Sequence, residues 1–378
     1  MQRKNKTIVL SSNTSFTLYN FRLNLMRALK EKGYRVITVA MEDKYSEFLR
    51  KEFEFHPIKK LDKKGTNPLK DLLFFLELFW LYRKIKPDIC IHFTIKINIY
   101  GAIAGGLLGI PTISVITGLA YPFIKETWLT KLVKLLYFLA FKFNKGIIFL
   151  NEEDMKTLAS ISGTKSYLIE SEGVDTEFFS PNQVSKEKEN FIFLFVGRLI
   201  KDKGLLELVE AFKRLKIDYP NLELMVVGDF EPEYPNSLTE DEIKNLVKDG
   251  FINYLGFQSD VRPFYSLADC VVLPSYYREG VPRVLLEAIS MGKPIITTDA
   301  PGCRNVCIDG INGFLIKPKN IESLYIAMKK IVELDKEKLL MMGLNGRKLA
   351  KEKYEISKII NAYLKIIEKT INSTHSHT

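Results

Sequence analysis

Two clusters of charged residues in the second half of the chain have the types and spacing to bind a phosphorylated ligand. In the first, VGRLIKDKG (residues 196–204), Gly197, Arg198 and Lys203 follow a short apolar stretch. A guanidinium and an ammonium beside a helix start can hold a diphosphate, and each charge-assisted hydrogen bond contributes about 1.5–3 kcal/mol. Taken alone, such a segment more often carries solvated loop charges.

The second cluster is EGVPRVLLE, residues 279–287. Pro282 suits the first position of a helix and Gly292 its exit, so Glu279 is predicted to precede the helix and Glu287 to lie within it. The N–H groups at the helix start would face an anion, and two carboxylates could accept hydrogen bonds from a sugar and a ribose. A first-turn acid stabilised by the helix dipole and a solvated helix glutamate explain the pattern equally well.

The elements that must position these residues form two series of short apolar strands separated by helices. The first series is TIVLSS, YRVITVAM, DICIHF, TISVIT and GIIFLN; the second is FIFLFVG, LELMVVGD, INYLGF, CVVLPS, PIITTD and GFLIKP. This alternation predicts doubly wound parallel sheets with helices on both faces. A helix is predicted between the first two strands, over residues 21–33.

The chain has 378 residues, which suits two α/β domains. The predicted domains are residues 1–172 and 173–354, and a last helix at about 355–372 is expected to pack back on the first domain. Ligands bind at the carboxyl ends of strands in such sheets. A cleft between two such edges could hold two substrates, as group transfer requires.

Composition narrows the class of protein. The formal charge of +10 is compatible with nucleic acid, an anionic membrane or a phosphorylated ligand. The four cysteines lack the spacing of a disulfide framework or a zinc site, so reduced cytosolic thiols are expected. No apolar leader follows the N-terminal charges, so a secretory signal is not expected.

Residues 97–124 carry no charge and are long enough to span a bilayer. They are interrupted by Gly and Pro, and the backbone groups released at those breaks would lack partners in lipid. A buried helix near residues 98–108, a stop at Gly109, the strand TISVIT and a loop at Gly118 is the better interpretation.

With these motifs in order, the chain resembles the family-four retaining glycosyltransferases, which have the two-domain GT-B fold. The resemblance is carried by VGRL-x3-KG, by the spacing of Glu279 and Glu287 in an E-x7-E signature, and by three further blocks. Those blocks are GVDTEFFSP, LGFQSDVRPFYSLADCVVLPS and TDAPGCRNVCIDGINGFL, which together extend the resemblance over nearly the whole chain.

The resemblance implies a role for each matching residue. Arg198 and Lys203 would bind the diphosphate of a UDP-sugar donor and stabilise the leaving nucleotide, while Glu287 would accept from the ribose hydroxyls. Glu279 would contact the donor sugar. Gly256 and Phe257 would flank the base, with Gly197, Gly280, Val281 and Pro282 also lining the donor site. No metal or other cofactor is expected, because the two cations neutralise the phosphate charge. In this family the departing phosphate is thought to take the acceptor's proton, so no side-chain base is nominated.

The first half should bind the acceptor. Its candidate residues are Asn20, Arg22, His92, Lys96 and Gly118, in blocks that look like those of bacterial family members that extend undecaprenyl-diphosphate-linked sugars. A buried, satisfied position is the alternative for His92. For Arg22 and Lys96 the alternative is a plain surface role.

Two basic, aromatic segments, residues 72–86 and 128–146, could lie on an anionic leaflet, with each nearby Lys or Arg adding about 1 kcal/mol. In the second, Lys131, Lys134, Lys142 and Lys145 are predicted on one face, with Leu132, Val133, Leu136, Leu139 and Phe143 turned away. Core-facing helices with a solvated lysine face are the alternative explanation of this pattern. The positive charge favours peripheral contact with the inner face of the cell membrane, and no nucleic-acid motif is present.

The sequence therefore predicts transfer of a hexose or N-acetylhexosamine from a UDP-sugar to a polyprenyl-diphosphate-linked sugar in bacterial glycan assembly. A lipopolysaccharide-core or soluble acceptor, a GT-B-shaped epimerase and a non-enzymatic sugar-nucleotide-binding or membrane scaffold protein are the alternatives.

Overall fold

The computed structural model describes residues 6–63, 65–119, 123, 127–161, 163–181, 190–232, 234, 236–277 and 280–375. It divides into two compact units, residues 1–172 with 357–378 and residues 173–356. Both units are built on parallel sheets, as the alternation of strands and helices predicts.

The first unit contains a seven-stranded sheet of order β3-β2-β1-β4-β5-β6-β7, with every pairing parallel. The strands are β1 (Thr7–Thr14), β2 (Arg35–Met41), β3 (Glu54–Pro57), β4 (Ile89–Phe93), β5 (Thr112–Ile116), β6 (Asn144–Phe149) and β7 (Ser166–Leu168). The helices are α1 (Ser15–Glu31), α2 (Ser46–Glu52), α3 (Pro68–Ile85), α4 (Ala102–Leu107), α5 (Trp128–Phe141), α6 (Glu152–Leu158) and, from the C-terminal end, α13 (Ile356–His375).

Alternating side chains of the central strand β1 face opposite sides of this sheet, as the two-residue period of a strand requires. Ile8 and Leu10 pack with buried residues of α1, α2 and α13, whereas Val9 packs with buried residues of α3. The C-terminal helix α13 is therefore part of the core of the first unit.

The second unit contains a six-stranded parallel sheet of order β10-β9-β8-β11-β12-β13. The strands are β8 (Phe191–Val196), β9 (Leu222–Val227), β10 (Asn253–Tyr254), β11 (Cys270–Leu273), β12 (Ile295–Thr298) and β13 (Gly313–Ile316). The helices are α7 (Leu205–Asp218), α8 (Glu240–Lys248), α9 (Arg262–Leu267), α10 (Arg283–Ser290), α11 (Ile321–Val332) and α12 (Lys336–Leu349). A doubly wound dinucleotide-binding sheet has the same strand order. The order in which successive strands are added changes side between β8 and β11, while all strands remain parallel.

Two local features differ from the prediction. Helix α1 begins at Ser15, six residues before the predicted start, because the Thr14 side chain accepts from the Thr17 N–H and caps the helix there. The short edge strands β3 and β7 were not predicted. The uncharged segment forms a helix and a strand as predicted, although the helix starts with a π-helical turn (Ile97–Gly101) before α4, and β5 follows. None of the helices in the described ranges combines the length and apolar character that crossing a bilayer needs.

Candidate active site

The candidate site of the second unit lies at the point where the strand order reverses. Strands β8 and β11 are hydrogen-bonded neighbours there, and their carboxyl ends lead into the loops that contain residues 197–203 and 274–282. Loops from neighbouring strand ends at such a point form the usual crevice for a nucleotide. The topology alone therefore brings the two charged clusters of the sequence to one edge.

Glycines at adjacent strand ends allow the main chains at this edge to lie close together. The Gly197 N–H donates to Val227 O at 3.0 Å, and a Cβ on Gly228 would come within 1.8 Å of Gly197 O. Gly256 has a φ of +67° and its carbonyl accepts from the Gly228 N–H at 3.0 Å. Only glycine permits the approach at Gly228. The neighbouring Phe257 is 44% exposed.

Arg198 and Lys203 lie against one aromatic ring. The Arg198 Cζ lies 5.1 Å from the centroid of the Tyr277 ring, and the Lys203 Nζ lies 5.9 Å from it. Lys203 ends a short 3₁₀ turn and is buried. Gly204 follows with a φ of +78°, and a Cβ there would meet Pro274 O at 2.3 Å, so a glycine allows the two loops to touch.

Helix α10 starts at the same edge. Pro282 is its N-cap residue and not its first helical residue as predicted, and no side chain caps the helix. The N–H groups of the first turn are thus not satisfied by a capping side chain, which suits an anion. Gly292, with a φ of +67°, follows the end of the helix as predicted. Gly280 and Val281 lead into the helix, while Glu279 lies outside the described residues.

Glu287 is buried inside α10, which excludes the alternative of a solvated helix glutamate. The Arg283 Nε lies 2.9 Å from its Oε1, and the Tyr265 hydroxyl donates to its Oε2 at 3.1 Å. Burial raises the pKa of Glu287 above its usual range, while Arg283 and Tyr265 oppose that shift. The carboxylate is held in one orientation by these partners.

The acceptor candidates on α1 are not at a helix start. Because the helix begins at Ser15, Asn20 lies in its second turn, where its side-chain amide donates to Phe16 O at 3.0 Å. Arg22 is buried, forms an ion pair with Glu172 and lies 4.4 Å from the centroid of the Phe93 ring. The prediction of a phosphate contact at Arg22 is corrected, since its guanidinium is part of the packing.

His92 is likewise a core residue and not a surface contact for an acceptor. It is fully buried at the end of β4, its Nε2 lies 3.1 Å from the Tyr82 hydroxyl, and burial lowers its pKa to about 3. A Cβ on Gly101 would come within 2.7 Å of the imidazole. The imidazole is therefore neutral and tightly enclosed. The alternative interpretation of the sequence is right about its burial, but the Nδ1 atom has no hydrogen-bond partner among the described residues.

Two acceptor candidates remain near the carboxyl edge of the first sheet. Lys96 is half-buried, and its Nζ donates to Gly65 O at 2.7 Å and to the Asp71 carboxylate. Gly118 follows β5 with a φ of +125°, a conformation that favours glycine. Residues 120–122 lie outside the described residues.

Clustered metal ligands and exposed thiols are both absent among the described residues. The described ranges contain no group of three or more His, Cys, Asp or Glu residues placed to hold a metal ion. Cys90, Cys270, Cys303 and Cys307 are all buried thiols, and burial raises the pKa of Cys307 to about 12.

Comparison with known families decides the class of the chain. Residues 7–151 match the family described as Glycosyl transferase 4-like, and residues 176–349 match Glycosyl transferases group 1. The chain belongs to the family-four glycosyltransferases. Together these two matches cover most of both units.

Two relatives of this glycosyltransferase are named for lipid-linked acceptors. One, from Campylobacter jejuni, is an N,N'-diacetylbacillosaminyl-diphospho-undecaprenol alpha-1,3-N-acetylgalactosaminyltransferase, 28% identical over 96% of this chain and 98% of its own length. Another, from Escherichia coli, is a UDP-Gal:alpha-D-GlcNAc-diphosphoundecaprenol alpha-1,3-galactosyltransferase, 28% identical over 79% of this chain and 78% of its own.

Solved structures confirm the GT-B fold of this glycosyltransferase. A Rickettsia africae glycosyltransferase has a TM-score of 0.79 at 19% identity and covers 97% of this chain and 99% of its own. Anabaena HepE in complex with UDP has a TM-score of 0.78 at 19% identity and covers 96% of this chain and 100% of its own. At this identity the likeness concerns the fold alone.

Sequence reasoning missed three residues at the carboxyl edge of the second sheet of this glycosyltransferase. Gly228 could have been found from the VVGD strand end, which parallels FVG at Gly197. Tyr277, beside the two cations, and Tyr265, beside Glu287, carry no local signal, because their roles depend on contacts between distant segments.

Proposed function

We propose that this glycosyltransferase moves a hexose or N-acetylhexosamine from a UDP-sugar to a polyprenyl-diphosphate-linked sugar in bacterial glycan assembly. The observation that carries the proposal is the contact of Arg198 and Lys203 with the Tyr277 ring, at the sheet edge where α10 also starts. Two cations and a helix start suit a diphosphate. The names of the Campylobacter and Escherichia relatives support the lipid-linked acceptor.

In this proposal Arg198 and Lys203 hold the donor diphosphate and stabilise the charge that develops on the leaving UDP. Glu287 accepts hydrogen bonds from the ribose, and Glu279 contacts the donor sugar. The reaction retains the anomeric configuration and proceeds without a metal ion, because the two side-chain cations supply the charge that Mg²⁺ supplies elsewhere. Lys96, Gly118 and Asn20 remain the proposed acceptor contacts of the first unit.

The test is a screen of UDP- and GDP-sugars against short-chain polyprenyl-diphosphate sugars, with products read by mass spectrometry and the new linkage by NMR. We expect UDP release only when a lipid-linked acceptor is present, with full activity in EDTA. Acceptor-independent conversion of the sugar nucleotide would establish an epimerase instead. Transfer only to a lipopolysaccharide core or a soluble sugar would reject the lipid-linked acceptor. UDP binding without turnover would leave a binding protein.

We further propose that the enzyme associates peripherally with the anionic, cytoplasmic face of the cell membrane through α3 and α5. Exposed apolar side chains follow one stripe of each helix. They are Leu69, Leu72, Leu73, Leu76 and Trp80 on α3, and Trp128, Leu132, Leu135 and Leu139 on α5. Helix α4 contacts both helices and exposes Leu107, so the stripes lie on neighbouring elements. Contiguous exposed apolar side chains on a protein surface mark interaction sites.

The charge around the stripes selects an anionic partner. Residues 59–86 contain eight Lys or Arg against three acids, and residues 128–145 contain four Lys and no acid. The α5 face differs from the prediction, because Leu132 and Leu139 are exposed with Lys131 and not turned into the core. Lys145 belongs to β6 and not to the helix. An apolar stripe with lysines beside it is the pattern of a helix that lies in a membrane interface.

Replacing Trp80 and Leu135 together with serine is expected to weaken binding to vesicles of anionic phospholipid by roughly tenfold or more, because complete burial of each such side chain contributes about 1.5–3 kcal/mol. Co-sedimentation with anionic and zwitterionic vesicles measures this. Ile217→Ser and Leu340→Ser are the matched controls, since both side chains are exposed on the second unit. Equal binding of the double variant and wild type, or no preference for anionic vesicles, would reject this surface.

A further inference from the structure

A glutamate outside the family signature is bound to one of the two proposed phosphate-binding cations. The Arg198 Nη1 lies 2.7 Å from the Glu231 Oε2, and the two side chains are 43% and 33% exposed. Glu231 follows β9, the strand beside β8. The chain itself therefore presents an anion to Arg198 at the edge where the diphosphate is proposed to bind.

The backbone fixes the position of Glu231. The loop that contains it lies along the Arg198 loop: Leu199 N donates to Asp229 O at 2.9 Å, and Leu238 N donates to Leu199 O at 2.8 Å. An isolated β-bridge joins Ile200 and Ser237, next to the second of these bonds. Main-chain bonds on both sides of Glu231 hold its loop in place without help from the carboxylate.

Two aromatic rings support the guanidinium independently of the carboxylate. The Arg198 Cζ lies 5.1 Å from the Tyr277 ring centroid and 5.9 Å from the Tyr234 ring centroid, and the two rings meet edge to face at 6.1 Å. Cation–π contact of this kind holds a guanidinium without neutralising it. Removal of the Glu231 charge should therefore leave Arg198 where it is.

We propose that Glu231 is an exchangeable counter-ion of Arg198 that is displaced when a diphosphate binds and returns when it leaves. The inference rests on the proposed role of Arg198 as a donor-diphosphate ligand. An exposed pair of this kind changes an equilibrium constant by about fivefold or less, so a diphosphate can displace it. The carboxylate also repels the incoming anion. Glu231 thus weakens the binding of product UDP and favours its release, because its charge competes with the diphosphate for Arg198.

The test compares UDP, inorganic pyrophosphate and uridine by calorimetry on the full-length wild type and on Glu231→Gln. We expect the variant to bind UDP and pyrophosphate roughly two- to fivefold more tightly, the range that an exposed ion pair allows. Uridine, which has no phosphate, should bind both proteins equally. The gain should shrink between low and high salt, because exposed charges are screened. A merely structural role of Glu231 would not produce that salt dependence.

Asp241→Asn is the matched control. It removes one negative charge from the same unit, at a side chain that is 91% exposed and whose nearby cation is Lys244 at 3.8 Å. The control should leave all three affinities unchanged. A gain of the same size in the control would mean that net charge alone is responsible, and would overturn the proposal.

Unchanged or weaker diphosphate binding in Glu231→Gln would also overturn the counter-ion role, as would an equal gain for uridine. These results leave the proposed transferase activity standing if wild type still forms product. Conversely, tighter pyrophosphate binding in the variant with no turnover of any UDP-sugar would support the counter-ion and reject the proposed donor. No binding of either diphosphate to either protein would overturn the counter-ion role, whereas product formation alone decides the transferase.

Discussion

Replacing Lys203 with alanine is expected to lower kcat for sugar transfer by about 10²- to 10³-fold, which corresponds to about 2.7–4 kcal/mol of transition-state stabilisation. The proposed role requires its ammonium to meet charge that grows on the leaving phosphate. The side chain is buried beside the Tyr277 ring, so water is largely excluded around it and the interaction is strengthened. Steady-state kinetics with saturating donor and acceptor measure the effect.

The neighbouring Lys201 provides a matched control. Its side chain is 47% exposed and its Nζ lies 3.3 Å from Glu242 Oε1, so Lys201→Ala removes an equal charge from the same short turn without touching Tyr277. We expect near-normal kcat in that variant, and partial activity in Lys203→Arg, which keeps a cation. Thermal unfolding checks that each variant folds. Near-normal kcat in a folded Lys203→Ala protein would refute the role.

The fold was predictable because it depends on local patterns that repeat. Short apolar runs such as FIFLFV and CVVL are too short for helices and lie between helical segments, which predicts buried parallel strands. In the structure, β8 and β11 fall on these runs and lie side by side. The short strand β3 was missed because Glu54 and His56 interrupt its apolar pattern, and its pairing with β2 is a tertiary feature.

The errors at the acceptor edge have a common physical cause. Each of these polar side chains was interpreted from its residue type, whereas its burial depends on what packs over it. Arg22 shares the buried face of α1 with Leu18 and Leu25, and Glu172 and Phe93 from distant segments enclose its guanidinium. His92 lies at the end of an apolar strand, and the sequence allowed both interpretations. In the structure, Tyr82 and Gly101 enclose its ring.

The positions of the charged residues in the second unit were easier to predict, because these residues follow strand ends. Arg198 follows β8, and the topology of a doubly wound sheet requires that position to face the loop after β11. What the sequence could not supply were the residues that hold the functional ones, namely Tyr277, Glu231 and Tyr265. Each acts across a long sequence separation, so only the packed structure identifies it.

Replacements of the two signature glutamates are expected to impair different functions, namely sugar transfer and UDP binding. Glu279→Gln should reduce transfer by about 10- to 150-fold, the value of one hydrogen bond to a charged group, with little change in UDP affinity. Its carboxylate is assigned to the donor sugar, which UDP lacks. Glu287→Gln should instead lower the affinity for UDP, because the Glu287 carboxylate is assigned to the ribose. Calorimetry with UDP and single-turnover kinetics with the UDP-sugar separate the two effects.

Burial makes the Glu287 variant the harder one to interpret, since it leaves the partly buried Arg283 without its carboxylate partner. Tyr265→Phe is the control, because it removes the hydroxyl that donates to Glu287 but keeps the charge. If Tyr265→Phe folds and binds UDP almost normally while Glu287→Gln folds and does not, the carboxylate itself is the ligand. Parallel losses of transfer and UDP binding in Glu279→Gln would contradict the division of roles. A side chain that contacts only the donor sugar cannot change the affinity for UDP, because UDP has no such sugar.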